Sequence, residues 1–119
     1  MRDIKFRIWE TLNKKMTPWD KLQNAQISIL NRPESIVKDE FVVMQYTGLT
    51  DKNGKEIYEG DILKDEINGE IHKIVWDESE ARFEAVIIGG VFSDMKRHIP
   101  DVKIMEIKGN IYENPELIK

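Results

Sequence analysis

Short strand-like segments separated by turn residues constrain the fold of this chain more than any other feature. Residues 3–9 alternate hydrophobic and polar side chains, and residues 41–47 are rich in β-branched and aromatic ones. Both patterns predict β-strands. No stretch of a dozen residues carries the apolar stripe of an amphipathic helix, so the sequence predicts an all-β fold.

The first predicted strand has two different faces. The side chains on one face are Ile4, Phe6 and Ile8, and those on the other face are Lys5, Arg7 and Trp9. Alternation of this kind is typical of an antiparallel strand that is buried on one side. We therefore expect the isoleucine and phenylalanine face to pack on the core and the other face to lie outside.

Glycine and asparagine mark the turns between the later segments. Asn53-Gly54 and Asn68-Gly69 are each predicted to form a type I′ hairpin turn, because both residue types tolerate positive φ angles. We expect Gly48 to end the strand over 41–47, and Asp61 to anchor a tight turn. The remaining strand candidates are residues 26–30, 62–64, 71–76, 82–88 and 102–107, and residues 18–24 are predicted to be irregular or one helical turn.

Proline and charge interrupt the strand pattern near residues 31–40, which predicts a soft boundary there. We expect a small N-terminal β lobe over residues 1–40. Residues 41–119 are expected to form a C-terminal SH3-like, partly open barrel of about five strands. The two parts could also form one compact unit.

Composition excludes several kinds of site. The sequence has no cysteine, which excludes disulfides, zinc–thiolate centres, iron–sulfur clusters and cysteine nucleophiles. No apolar run approaches the roughly 18 residues of a membrane helix, and the charged N-terminal segment does not have the pattern of a signal peptide. We therefore expect a cytoplasmic protein without membrane contact.

Charge is unevenly distributed along the chain. Residues 1–38 hold eight Lys and Arg against four Asp and Glu, a net +4, and residues 39–119 hold ten against eighteen, a net −8. This asymmetry could indicate a nucleic-acid contact, attraction between lobes or subunits, or surface charge without a role.

A basic and aromatic segment near the start is the best candidate for nucleic-acid binding. Its side chains are Lys5, Arg7, Trp9, Lys14 and Lys15. Small barrels bind single strands by stacking bases on aromatic rings beside cations. Against this interpretation, a pI near 5.3 is unfavourable for a surface that contacts phosphates.

Three stretches together resemble the YopX-type family of small phage and prophage proteins. They are residues 1–9, 44–64 and 107–117, and the central one carries Tyr46-Thr47-Gly48-Leu49, Asp51-Lys52-Asn53-Gly54 and Tyr58-Glu59-Gly60-Asp61. The resemblance implies a mainly β fold with a barrel-like C-terminal part, a tendency to self-assemble and a bacterial host. It implies no catalytic residue.

The motifs that could carry chemistry are weak. Aligning residues 51–54 with a calcium loop puts Leu49 and Gly60 at ligand positions, and neither can bind the ion. His72 and His98 lack a metal-ligand spacing. The acidic group comprises Glu56, Glu59, Asp61, Asp65 and Glu66, and we interpret it as a solvated face. We predict no catalytic residue, no metal and no cofactor.

The sequence thus favours a non-enzymatic phage or prophage accessory protein that acts as an oligomeric binding module. The expected partners are further copies of the chain and an unknown protein or nucleic acid. Open sheet edges favour self-association, and the charge asymmetry makes a head-to-tail contact plausible. The alternative function is weak binding of single-stranded nucleic acid.

Overall fold

The computed structural model describes residues 3–24, 41–67, 69–89 and 96–118. These residues are nearly all β, which confirms the predicted fold class. The strands are β1 (Phe6–Glu10), β2 (Lys15–Thr17), β3 (Phe41–Thr50), β4 (Glu56–Tyr58), β5 (Asp61–Asp65), β6 (Ile71–Asp77), β7 (Arg82–Gly89), β8 (Lys96–His98) and β9 (Met105–Asn110). The helical elements are α1 (Trp19–Asn24) and two 3₁₀ helices, Ile99–Ile104 and Pro115–Ile118.

The strands form two antiparallel sheets. The first sheet has the order β2-β1-β3-β4, and the second has the order β8-β7-β6-β5-β9. β1 pairs with β3 over five residues, so the first sheet contains strands from both predicted parts of the chain. The division at residues 40 and 41 and the SH3-like topology stay predictions. The candidate strand 26–30 and the soft boundary 31–40 lie outside the described residues.

The main core lies between β4 and the second sheet. Its buried members are Ile57, Leu63, Ile74, Ala85, Val102 and Met105. Ile57 belongs to the first sheet and the other strand residues to the second, so burial of this apolar surface holds the two sheets together. A smaller cluster of Ile8 and Phe41, covered by Trp19 of α1, closes the far side of the first sheet. None of the helices in the described ranges is long and apolar enough to cross a membrane.

β1 is covered on both sides, which corrects the predicted half-buried strand. Ile8 is buried as expected, but Ile4 is exposed and Trp9, on the opposite face, is buried as well. The reason is that other elements pack on each face. Trp19 packs against the cluster that contains Ile8, while Asp61 and Tyr112 contact Arg7 and Trp9 on the opposite face.

Gly48 does not end β3, contrary to the prediction. The strand continues to Thr50, and Gly48 has a φ of 89° within a register shift between Tyr46 and Thr50. A β-bulge places one residue in a conformation that glycine adopts without steric cost. The strand is therefore bent at Gly48 and then goes on to pair with β4.

The turn at Asn53-Gly54 is also different from the predicted type I′. Only Gly54 has a positive φ, of 81°. The Gly54 N–H donates to the Asp51 carbonyl at 3.0 Å, and the Asp51 N–H donates to the Lys55 carbonyl at 2.8 Å. This pattern is a three-residue loop with a glycine bulge. The Asp51 carboxylate accepts the Asn53 N–H at 2.9 Å, which fixes this turn instead.

The other predicted Asn-Gly turn likewise lies in a longer loop. The Asp65 N–H donates to the Glu70 carbonyl at 2.9 Å and the Gly69 N–H donates to the Asp65 carbonyl at 2.7 Å. Four residues therefore lie between Asp65 and Glu70, and the predicted two-residue hairpin turn is wrong. Gly69 has a φ of 76°, whereas Asn68 lies outside the described residues.

The predicted strand 102–107 is shifted toward the C-terminus. Ile99–Ile104 is a 3₁₀ helix, and the strand begins at Met105 and runs to Asn110. Val102 is nevertheless fully buried in the main core. Val102 is hydrophobic because it packs into the core from a helical turn. A short apolar pattern does not distinguish such a turn from a strand.

The turn between β6 and β7 holds Ala81 in the left-handed region, with a φ of 52°. We expect Ala81→Gly to raise the free energy of unfolding by about 0.5–1 kcal/mol, because it removes the steric cost of a Cβ at positive φ. Urea denaturation measures this change.

Gly54→Ala is the matched control for this substitution. No atom lies within 4 Å of the added Cβ, so we expect a purely conformational loss of about 1–2 kcal/mol. A lower free energy of unfolding in both variants would contradict the left-handed conformation assigned to Ala81.

Candidate functional site

The two sheets meet at a buried ion pair between Arg7 of β1 and Asp61 of β5. The Arg7 Nη2 lies 2.7 Å from the Asp61 Oδ1, and the two side chains are 13% and 3% exposed. Nη2 also donates to the Glu59 carbonyl at 3.2 Å, and the guanidinium lies 4.9 Å from the centre of the Tyr58 ring. A buried charge needs such partners, because leaving water costs several kcal/mol per ion.

Asp61 also anchors the turn that leads into β5, as predicted. Its Oδ2 accepts the Tyr58 N–H at 2.7 Å, and Gly60 between them has a φ of 87°. Burial raises the pKa of Asp61, although the Arg7 charge and the Tyr58 N–H act in the opposite direction. The ionised carboxylate therefore depends on Arg7 for its stability.

A row of cations and tyrosines continues from this pair. Lys5 forms an ion pair with Glu56 and lies 5.4 Å from the centre of the Tyr46 ring. The Tyr46 and Tyr58 rings are 5.6 Å apart. Burial raises the pKa of both phenols, so they stay protonated at neutral pH. The cations and carboxylates of this row therefore compensate one another's charge.

Asp51 makes a second link between the sheets. Its Oδ1 accepts the N–H groups of Asn53 and Lys55, and its Oδ2 accepts the Ile107 N–H of β9 at 3.0 Å. Burial acts to raise the pKa of Asp51, but the three N–H donors outweigh it and lower the pKa overall. The loop between β3 and β4 is thereby fixed to the edge of the second sheet.

Two adjoining cavities open beside the ion pair, with volumes of about 610 and 460 Å³. Both are lined by Arg7, Lys55 and Glu56, and we call them together the junction cleft. The larger one also has apolar walls from Met16, Pro18, Trp19 and Tyr58. The smaller one is lined mainly by polar residues of β9 and the segment that follows it.

The structure brings only two of the five predicted nucleic-acid residues together. Lys5 and Arg7 line the junction cleft and are paired with Glu56 and Asp61. Trp9 is buried. Lys14 and Lys15 are exposed in the hairpin between β1 and β2.

The ring of Trp9 is not available for stacking with a base. It stacks on Tyr112, with 5.9 Å between ring centres and an interplanar angle of 28°. Trp9 therefore joins the C-terminal segment to the first sheet. Nucleic-acid binding by this segment stays a prediction.

The acidic group that we interpreted as a solvated face is solvated only in part, because Asp61 and Asp65 are buried and accept backbone N–H groups. Glu59 accepts the Gln45 N–H at 3.1 Å, Asp65 accepts the Ile67 N–H at 2.9 Å, and Glu66 pairs with Lys108. Among the residues that the structure describes, no three His, Asp or Glu side chains are grouped to hold a metal ion. His72 is buried with its Nε2 3.3 Å from Glu70.

Sequence reasoning missed a hydrophobic surface, which we call the apolar groove. A cavity of about 240 Å³ is lined by Val42, Val43, Trp76, Ile111 and Tyr112, together with the charged side chains of Glu59 and Lys73. Val43 and Trp76 are 46% and 43% exposed. The Trp76 ring makes an edge contact with Phe83, its partner on the neighbouring strand, with 4.9 Å between ring centres. The one sequence feature that could have indicated this groove is Trp76, a large aromatic residue near the end of β6.

Removing Arg7 tests the buried ion pair. We expect Arg7→Met to lower the free energy of unfolding by about 3–5 kcal/mol at neutral pH, because Asp61 is left buried and charged. In this variant the folded-state pKa of Asp61 rises further, so the deficit shrinks as the pH falls toward the ordinary Asp value. Denaturation at several pH values measures this.

The control is Lys5→Met, which breaks the half-exposed pair with Glu56. Exposed pairs contribute little because solvent screens them, so its loss is expected to be much smaller and nearly independent of pH over the same range. Equal losses in the two variants would contradict the distinction between the pairs.

Asp51→Asn tests the second link. The amide has a single acceptor oxygen, so it can accept either the loop N–H groups of Asn53 and Lys55 or the Ile107 N–H, but not both. We therefore expect a loss of about 1–3 kcal/mol at neutral pH. The lowered pKa of Asp51 stabilises the fold above the ordinary Asp value, and this contribution is lost as the pH falls through the folded-state pKa. The stability loss of Asp51→Asn relative to the wild type should therefore disappear at a more acidic pH than the stability loss of Arg7→Met. A deficit that persists in strong acid would contradict this explanation.

Comparison with known proteins places the chain in a family. Residues 5–119 match the family model described as YopX protein. The chain is also similar to the crystal structure of protein EF1440 from Enterococcus faecalis, with 27% identity, a TM-score of 0.67 and 100% of both chains covered. The comparison with curated proteins finds no match. Since the family model spans nearly the whole chain, this protein belongs to the YopX protein family.

Proposed function

We propose that this protein is a non-enzymatic accessory protein of a phage or prophage and that it works as an oligomeric binding module. The phage or prophage setting rests on the resemblance of residues 1–9, 44–64 and 107–117 to that family. The binding role rests on one observation, the exposed apolar groove at Val43 and Trp76.

The composition of the groove supports a role in protein contact. Trp and Tyr are enriched at protein interfaces, and a few such side chains carry most of the binding energy. Here Trp76 and Tyr112 lie in the same groove as Val43. The edge contact with Phe83 on the neighbouring strand limits the motion of the indole, so little side-chain entropy would be lost when a partner covers it.

The charged residues of the groove support a second copy of the chain as the partner. Glu59 and Lys73 both line the groove, and neither forms an ion pair within the described ranges. In a twofold contact each residue of a pair meets the other on the opposite subunit. Such a contact would form two ion pairs, each between Lys73 of one copy and Glu59 of the other. We therefore propose a twofold contact here in place of the head-to-tail contact inferred from net charge.

The proposal of no enzymatic activity is supported by the way the carboxylates are used. Asp51 and Asp61 accept backbone N–H groups at 2.7–3.0 Å, and Asp61 is also paired with Arg7. A general acid or base must be able to change its protonation near the working pH and reach a substrate. A carboxylate that holds a turn together loses that structural role when it takes up a proton.

Trp76→Ser tests the proposed interface. We expect the dissociation constant of self-association to rise at least about tenfold, because loss of a buried aromatic at an interface costs about 2 kcal/mol or more. Light scattering over a range of protein concentrations measures this, and Ile67→Ser is the control, since Ile67 is 86% exposed and does not line the groove. A wild-type protein that stays monomeric at high concentration, or equal effects of both substitutions, would overturn the proposal.

A further inference from the structure

We propose that the junction cleft binds a monoanionic ligand that carries an apolar or aromatic group, namely a carboxylate attached to a hydrophobic side chain. A peptide C-terminus and a free acylated amino acid share this chemistry. The inference is independent of the proposed function, because the junction cleft and the apolar groove are lined by different residues.

The larger cavity of the cleft has the size and walls of a small-molecule site. Its volume of about 610 Å³ lies within the range of roughly 300–1,000 Å³ that is usual for such sites. Met16, Trp19 and Tyr58 form its hydrophobic wall. The Trp19 ring packs edge-on against Phe6, with 6.1 Å between ring centres, so this wall is held in place before a ligand arrives.

The wall that the two cavities share carries an ammonium group that the fold does not use. Arg7 lies in the same wall, but both of its hydrogen bonds are made by Nη2 to Glu59 and Asp61, and its Nε is fully buried. Lys55 is exposed and forms no ion pair with any residue that the structure describes. An anion at this wall would meet the guanidinium and an ammonium group together.

One cation of the cleft has no carboxylate partner, which fits a single negative charge. The larger cavity is lined by three cations and two carboxylates, which are Lys5, Arg7, Lys55, Asp20 and Glu56. The smaller cavity shares three of these residues and adds Lys108, Asp61 and Glu113, so the cleft as a whole is neutral. Lys5, Arg7 and Lys108 each form an ion pair, whereas Lys55 forms none with any residue that the structure describes. A dianionic phosphate would exceed this single charge and face the carboxylates, whereas a carboxylate matches it.

Titration with matched acid and amide probes tests the proposal. We would follow ¹H–¹⁵N NMR spectra, including the Trp19 indole, while adding N-acetyl-phenylalanine or N-acetyl-phenylalanine amide. We expect the acid to bind with a dissociation constant of about 0.1–1 mM, the range that ligand-efficiency bounds allow for a molecule of this size. The neutral amide should bind at least about fivefold more weakly, because it lacks the charge that Arg7 and Lys55 recognise.

Variants locate the site. Lys55→Gln should abolish the preference for the acid over the amide while leaving the spectrum of the free protein otherwise unchanged. Lys14→Gln is the matched control, since Lys14 is also exposed but does not line the cleft. Lys55→Gln spares the Arg7–Asp61 pair, so a loss of binding would not be caused by unfolding.

Each outcome bears on the proposal. Equal binding of acid and amide, shifts that avoid Trp19, an equal effect of Lys14→Gln, or no binding of either probe would overturn it. Peptides ending in phenylalanine, with a free or an amidated C-terminus, separate the two sources of the ligand. Binding at least about tenfold tighter than the acylated amino acid indicates a polypeptide C-terminus, whereas equal binding indicates small free acids.

Discussion

The contact between the two sheets depends on one buried charge pair. Arg7 and Asp61 are 54 residues apart in sequence, and each lies where an unpaired charge would cost several kcal/mol. Asp61 makes two kinds of contact. Its Oδ2 accepts the Tyr58 N–H and holds the turn, while its Oδ1 accepts a hydrogen bond from the Arg7 guanidinium. The position of β1 is thereby coupled to the start of β5. The hydrophobic contacts of Ile57 join the same two sheets, and the ion pair fixes the point at which β1 meets the start of β5.

Carboxylates that look reactive in the sequence are structural throughout this part of the molecule. Asp51, Asp65 and Asp77 each accept backbone N–H groups of the loop that follows them. These bonds determine where each hairpin reverses, and the reversals place the residues of the apolar groove and of the junction cleft. The loop held by Asp51 positions Lys55 and Glu56 at the cleft, while the β6–β7 hairpin places Trp76 beside Val43. The two candidate binding surfaces are thus consequences of the same turn chemistry.

Local features of the fold could be predicted from the sequence, and features that depend on distant partners could not. The strands around Val43, Ile74 and Ala85 follow from their residue types, and Gly54 has the positive φ that was predicted for it. The type of turn at Asn53 was missed because the Asp51 side chain decides it. Both faces of β1 are covered by residues such as Asp61 and Tyr112, which no pattern within residues 3–9 reveals. For the same reason Lys5 and Arg7 were noticed, but their partners and the groove between Val43 and Trp76 were not.

A double-mutant cycle on Arg7 and Asp61 tests the central claim most directly. The free energies of unfolding would be measured for Arg7→Met, Asp61→Leu and the double variant. If the pair registers the sheets, the double variant is more stable than the less stable single variant, with a coupling of about 2 kcal/mol or more. Losses that simply add, with a coupling near zero, would contradict the account.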